Sequence, residues 1–332
     1  MASGDRVFLR GMASPTYGLD HFRRQQLQQE RVRDESVITD DGTVGHSGSD
    51  AEQSLVHWRL APGDDPFLTQ TVQVHFVEIP ARGSNEGHGH QNEAAFYILE
   101  GRGYEIHDGQ RYDWETGDLV FVHTDSVHRH FNPYDEKAVA LVVKAKCTWM
   151  FLGLLQQGKG DRPVDEERFG PRVDWSQIWT EGVLARSKVV TAADTSWEDT
   201  ALGRVRVLSS PETTDRRIFS VDAYELLVPA GGSSGRYWKM ADEVFYVLEG
   251  GGHALQWEVE AEIADRYYAR VADEPRRLAL AAGDLLYVPQ NHVCQLFAAD
   301  GSPLRLLNAQ NRVFKHLGYD AVHFFEAASG GS

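Results

Sequence analysis

Cysteine is nearly absent: Cys147 and Cys294 are the only two in 332 residues, and neither belongs to a CxxC pair or a nucleophile motif. That argues against a disulfide scaffold and makes a reducing compartment the default. Basic residues are outnumbered, 33 Lys and Arg against 49 Asp and Glu, for a net charge of −16. A nucleic-acid binder would carry a basic stripe, and an anionic membrane surface would repel such a chain. Long hydrophobic runs are missing too. The strongest, Ala138–Ala145 and Trp149–Leu155, are too short to span a bilayer. Met1–Met12 holds no apolar stretch of signal-peptide length. The expectation is a soluble cytoplasmic protein with neither nucleic acid nor membrane as partner. What is present is 42% apolar and 11% aromatic, a globular composition in a length that suits one large domain or two ordinary ones.

The chain repeats itself. Phe96-Tyr97-Ile98-Leu99-Glu100-Gly101 returns as Phe245-Tyr246-Val247-Leu248-Glu249-Gly250. Gly117-Asp118-Leu119-Val120-Phe121-Val122 returns as Gly283-Asp284-Leu285-Leu286-Tyr287-Val288. Two matches in the same order imply an internal duplication. Their spacing is longer in the second copy, which places an insertion at the charged stretch Glu258–Arg277. Each copy reads as short strands separated by turn signals, the pattern of a sandwich or small barrel. Helix is expected at Asp20–Asp34, rich in Gln, Arg and Glu. Asp161–Trp197, with Trp175, Trp179 and Trp197, reads as a connection that packs down on the copies. The Gly/Ser-rich tail Ala327–Ser332 reads as disordered.

The sharpest chemical signal is His88-Gly89-His90. Side chains at i and i+2 on a strand share a face. Downstream, His128, His130 and Asn132 also share one. Imidazoles converging inside a barrel make a site for a borderline transition metal. The bland alternative is a set of surface histidines in a polar loop.

These segments resemble the two motifs of the cupin superfamily. In the first, G-x5-HxH-x3-4-E-x6-G, His88, His90 and Gly101 match, while Arg82 stands at the opening glycine place. In the second, G-x5-PxG-x2-H-x3-N, Gly117, His128 and Asn132 match, with His123 at the proline place and Asp125 at the glycine place. The resemblance implies an all-β chain of two jelly-roll β-barrels arising from the duplication, with a helical N-terminal extension. The expected divisions are 1–54 (extension), 55–155 (first cupin, with the metal site), 156–204 (linker), 205–318 (second cupin, with a degenerate site) and 319–332 (tail).

One departure bears on chemistry. The carboxylate-ligand place falls on Ala94, and Glu93 sits one residue early. A one-residue slip turns a strand side chain to the other face unless a bulge re-aims it. The expected metal ligands are therefore His88, His90 and His128. In the second copy Glu243 fills the carboxylate place, but Tyr237-Trp238-Lys239 replaces the HxH and Cys294 replaces the later histidine. That barrel reads as structural, with Lys239 and Glu243 able to pair inside it.

A three-histidine bicupin is similar to the gentisate, salicylate and hydroxynaphthoate ring-cleaving dioxygenases. The resemblance implies Fe(II) as cofactor, O2 as co-substrate and a hydroxylated aromatic acid as substrate. His130 is the expected catalytic group near the metal. Ala94, Phe96, Gln73 and Arg82 are the expected substrate contacts. Phe96 and Ile98 share parity with Ala94; which face of Thr69–Ile79 lines the cavity stays open. Arg82, Arg102 and Arg129 are the nearby cations for a carboxylate, and His123 is expected at the barrel rim. Two other readings remain: a non-oxidative metal enzyme such as an isomerase or decarboxylase, and a metabolite-binding bicupin without catalysis. Exposed sheet edges lead to the expectation of a homo-oligomer.

Overall fold

The structure is a computed structural model that describes residues 28, 31–33, 43–44, 55–60, 71–85, 87–154, 157–158, 165–173, 186–212 and 218–330. In chain order the first half holds β1 (Val32–Arg33), β2 (Thr43–Val44), β3 (Leu55–Leu60), β4 (Gln73–Ile79), β5 (His88–His90) and β6 (Ala94–Glu100). It continues with β7 (Arg102–His107), β8 (Gln110–Glu115), β9 (Leu119–Val122), β10 (Ser126–Phe131) and β11 (Ala138–Lys144). Helix α1 (Lys146–Phe151), β12 (Gln157–Gly158) and β13 (Val189–Val190) lead out of it. The second half holds β14 (Trp197–Asp199), β15 (Arg204–Ser209), β16 (Val221–Val228), β17 (Arg236–Lys239), β18 (Glu243–Glu249) and β19 (Gly251–Ile263). Then come β20 (Tyr267–Val271), β21 (Arg276–Ala281), β22 (Leu285–Val288), β23 (His292–Ala298), β24 (Leu304–Asn311), α2 (Val313–His316) and β25 (His323–Glu326). The chain is all-β, two sandwich barrels of antiparallel strands.

In the first barrel a seven-stranded sheet, β13-β9-β6-β11-β4-β3-β2, faces a five-stranded one, β12-β5-β10-β7-β8. The second barrel repeats the plan with β1-β22-β18-β24-β16-β15-β14 against β20-β19-β23-β17-β25, with β21 paired to β19. The repeated sequences are equivalent strands, β6 with β18 and β9 with β22. The insertion Glu258–Arg277 contains the end of long β19 and all of β20, which pair with each other.

The repeats also share turn chemistry. Gly101 and Gly250 have φ of +82° and +81°. A Cβ on them would lie 2.6 Å from the carbonyl of Lys137 and 2.0 Å from that of Pro303. Only glycine fits such a backbone at that approach. In the second repeated turn, Asp118 Oδ2 accepts the N–H of Glu115 and Asp284 Oδ2 accepts that of Ala281. Each aspartate so closes its own tight turn.

The two seven-stranded sheets pack on one another. Val74, Ala95, Tyr97 and Phe121 of the first meet Val221, Val244, Leu285 and Leu307 of the second in one buried cluster. Tyr97 Oη donates to Glu225 Oε1 at 2.9 Å across this joint. Glu225, fully buried, also takes Arg206 and, at 2.8 Å, Arg305. Burial opposes its ionisation, and the bonds from Arg305 and Arg206 outweigh that, so its carboxyl lies below the usual range.

Two expectations change. A helical extension is not supported as a whole: Gln28 is helical, but Val32–Arg33, inside the same stretch, is strand β1 and pairs with Leu286 and Leu285 of the second barrel. Apart from Gln28 and Arg31, the rest of Asp20–Asp34 lies outside the described residues. As far as residue 330 the tail is tied down rather than loose: Ser329 bridges Ser233, and the N–H of Ala328 reaches the carbonyl of Ala201, while residues 331 and 332 lie outside the described residues. Its backbone finds partners at a sheet edge, which composition does not reveal. Trp175 and Trp179 lie outside the described residues. Among the described residues no helix is long and apolar enough to cross a membrane.

The Glu225 cluster generates a stability prediction. Glu225→Leu strands Arg206 without its anion and should cost about 3–5 kcal/mol, read as a lower denaturant midpoint. Because the folded pKa is depressed, the wild-type contribution is full above the unfolded value near ~4.3 and fades as pH falls through the folded one. Equal midpoints for mutant and wild type at neutral pH would refute the assignment.

Candidate metal centre

Strands β5 and β10 pair antiparallel with His88 opposite His128 and Gly89 opposite Val127. Alternation sends His88, His90 and His128 to the barrel interior, where all three are buried, and sends Val127 to solvent. One ligand nitrogen from each lies within 4.8 Å of the other two. Among the described residues this is the one group of three or more metal-type side chains so placed.

The rings are oriented from behind. His90 Nδ1 lies 2.5 Å from the carbonyl of Asn92, and His128 Nδ1 lies 3.4 Å from that of Ser126. A carbonyl partner requires the proton on Nδ1 and leaves the lone pair on Nε2. In both residues Nε2 is buried with no hydrogen-bond partner. Buried lone pairs without a donor are costly unless an ion takes them. Burial, the other histidines and, at His90, the charge of Lys144 hold both rings far below their usual pKa. They are neutral at pH 7, the form that ligates. The residues present therefore fit a divalent transition metal.

Glu93 is not part of the group. Its Oε2 accepts the N–H groups of Phe219 and Ser220 at 2.7 and 2.8 Å and the Ser220 hydroxyl at 2.8 Å. The carboxylate thus binds the second barrel, while Ala94 faces the interior of the first with Phe96, Ile98, Val120 and Val122. Burial raises the Glu93 pKa, and these hydrogen bonds pull the other way.

The other expected contacts separate. Val77 and Ile79 belong to the interior cluster and Val72 and Val74 to the joint between barrels. Gln73 and His75 therefore face the interior. The Phe96 ring lies 4.6 Å from that of His130. His130 Nδ1 stands 3.5 Å from Glu105 Oε2, and its backbone N–H donates to Asn85 Oδ1 at 2.6 Å. Arg82 is not brought to the group: it sits in an exposed turn at φ +58°, ion-paired to Asp135 at 2.6 Å. Arg129 bonds the carbonyl of Asn85 and the Ser84 hydroxyl, and Arg102 covers the Tyr134 ring. His123, expected at the rim, is fully buried with Lys188 Nζ 3.1 Å from its Nδ1.

Several polar groups of this interior carry no motif. Glu105 and His107 project inward from β7, each buried. Burial pushes the Glu105 carboxyl well above the usual range. His107 Nδ1 meets Asp108 Oδ2 at 2.8 Å. Lys188, just before β13, and Lys144, at the end of β11, bring cations; burial lowers each to about 8. For Lys144 the one sequence signal is a charged residue at the inward end of an otherwise apolar strand.

In the second barrel the equivalent place is filled from within. Lys239 donates to Glu243 and, at 2.7 Å, to Gln310 Oε1. Tyr237 and Asn308 also donate to Glu243. Cys294 is buried, and burial drives its thiol pKa upward. An ammonium supplies there the positive charge that the first barrel's three histidines could hold as an ion.

Two substitutions separate the roles of neighbouring residues. His128→Ala should lose bound metal, measured by elemental analysis, with the far-ultraviolet spectrum unchanged. Glu93→Gln should keep its metal and lose about 1–3 kcal/mol of stability. Loss of metal from Glu93→Gln would show that the carboxylate ligates after all.

Residues 75–144 match the family described as Cupin domain. No curated protein sequence matches the chain. Among solved structures, salicylate 1,2-dioxygenase from Pseudaminobacter salicylatoxidans is similar over 80% of each chain, with TM-score 0.59 and 14% identity. The same enzyme with gentisate is similar over 98% of this chain and 94% of that one, with TM-score 0.64 and 14% identity. A mutant of Bacillus subtilis oxalate decarboxylase is similar over 90% of this chain and 80% of that one, with TM-score 0.58 and 13% identity. Residues 75–144 thus match the Cupin domain family, and the chain as a whole shares the two-barrel fold of these enzymes.

Proposed function

We propose that the chain is a non-haem Fe(II)-dependent dioxygenase that opens the ring of a hydroxylated aromatic acid of the gentisate or salicylate kind, with O2 as co-substrate. The observation that carries this reading is the all-imidazole group, three buried histidines with Glu93 engaged elsewhere. Neutral donors leave a divalent ion its full charge, which suits a chelating anion. Imidazole donors serve iron, zinc and nickel alike; the likeness in fold to salicylate dioxygenase supports iron. When bound, the ion supplies a Lewis-acid and redox centre where substrate and O2 meet.

The protein's own part is placement and proton handling. His88, His90 and His128 hold the ion, and the carbonyls of Asn92 and Ser126 keep His90 and His128 aimed. Val77, Ile79, Phe96, Ile98 and Val120 line a narrow apolar space beside His130. These walls exclude water and pack against a flat ring. His130 takes or returns a proton of a substrate hydroxyl, with Glu105 behind its Nδ1.

A second reading has an observation of its own. Glu105 is buried, and burial favours its protonated form, which is the proton store a decarboxylase or isomerase needs. The oxalate decarboxylase neighbour shares the fold.

Metal analysis of anaerobically purified protein, then O2 uptake with hydroxylated benzoates, decides between them. Iron with substrate-dependent O2 uptake is expected. His130→Ala should keep the iron and slow turnover by about 10²-fold or more. Zinc, manganese or nickel with no O2 uptake would overturn the dioxygenase reading in favour of the second.

A further inference from the structure

The interior of the first barrel holds a cation that no described carboxylate answers. Lys144 ends β11, whose Ala138, Ala140 and Val142 belong to the interior cluster and whose Leu141 and Val143 belong to the joint between barrels. Alternation therefore directs Lys144 inward. Val143 pairs with Ala95 on one side, and Lys144 pairs with Gln73 on the other. Lys144 is thus level with the start of β6, where the short loop from His90 arrives. It stands close enough to His90 for its charge to oppose protonation of that ring.

Several other cations among the described residues have anions. Arg206 and Arg305 share Glu225, Arg312 has Asp222, and Lys239 has Glu243. Lys144 has no such partner among the described residues; the charge it feels is that of Lys146, of its own sign. It is half-buried, and burial lowers it to about 8, so it stays largely charged at pH 7. A cation in this setting is costly unless an anion joins it. Its cross-strand neighbour carries a second unmet group. Gln73 is 1% exposed, and its amide Oε1 is buried without a partner. A divalent ion on neutral imidazoles, with an ammonium alongside, concentrates positive charge in one space. The arginines near the histidine motif do not reach it.

We propose that Lys144 selects a carboxylate-bearing substrate, its Nζ pairing with the carboxylate while Gln73 Oε1 accepts a hydrogen bond from a substrate hydroxyl. This rests on the ring-cleavage reading above and adds its specificity residue. Neither residue is a metal ligand, so their loss should leave the ion in place.

Calorimetry on the full chain, loaded anaerobically with Fe(II), tests this with two probes. Salicylate and catechol both chelate through two oxygens, and only salicylate has a carboxylate. Lys144→Met should weaken salicylate about tenfold or more, leave catechol within about twofold, and keep the same metal content. Lys144→Arg should restore much of the salicylate affinity. If Lys144→Met binds salicylate as tightly as wild type, or loses both probes equally, the anchor is wrong and the ring-cleavage reading stands untouched. If loaded wild-type protein binds neither probe, the ring-cleavage reading falls and the anchor falls with it.

Discussion

Strands β4, β6 and β11 are covered on both faces, and the rest of the molecule depends on that constraint. One face lines the first barrel, and the other packs on the second barrel's seven-stranded sheet. With a period of two, each residue belongs to one environment or the other. Ala94, Phe96 and Ile98 look into the barrel, while Glu93, Ala95 and Tyr97 look into the joint. A single parity thus separates chemistry from assembly. It explains why a glutamate so near the ligand place serves as a clamp between barrels.

The two barrels answer one electrostatic problem in two ways. A closed β-sandwich whose interior holds polar side chains must satisfy them. The second barrel does so internally, with Lys239, Glu243, Tyr237, Asn308 and Gln310 bonded to one another. The first leaves Nε2 of His90 and His128 and Oε1 of Gln73 unmet. That incompleteness is what fits it to hold an ion. The second barrel, in which Asn308 Oδ1 and Gln256 Oε1 also lack a partner, instead holds its ammonium and carboxylate in direct contact, and it is a support on which Glu93 and Tyr97 find fixed partners.

Much of this was legible in the sequence, for reasons that differ from place to place. The convergence of His88, His90 and His128 could be read because i and i+2 on a strand share a face whatever the surroundings. The barrels could be read because Gly101, Asp118 and their repeats mark turns with strict backbone needs. The inner face of β4 could not be read. A half-solvated strand shows its alternation as apolar against polar, whereas one buried on both sides hides it. Hence Gln73 and His75 could not be told from Val72 and Val74. Nor could Lys144 be found: nearness to the histidine motif favoured Arg82, but antiparallel register carries in a residue from a distant strand. The burial of His123 depends on Lys188, supplied from the connection between copies. At Val32–Arg33 the composition favoured helix, and a pairing offered by the second barrel overrode it.

That pairing has a consequence in time. β1 joins β22, so a strand near the start of the chain completes a sheet whose other members come from the second half. During synthesis the residues of the first barrel can meet one another early, but Val32 and Arg33 must wait for Leu285 and Leu286 to be made. Contacts so distant along the chain are slow to close. The first of the described strands to be made is therefore among the last to dock, and its arrival reports that the second barrel has formed.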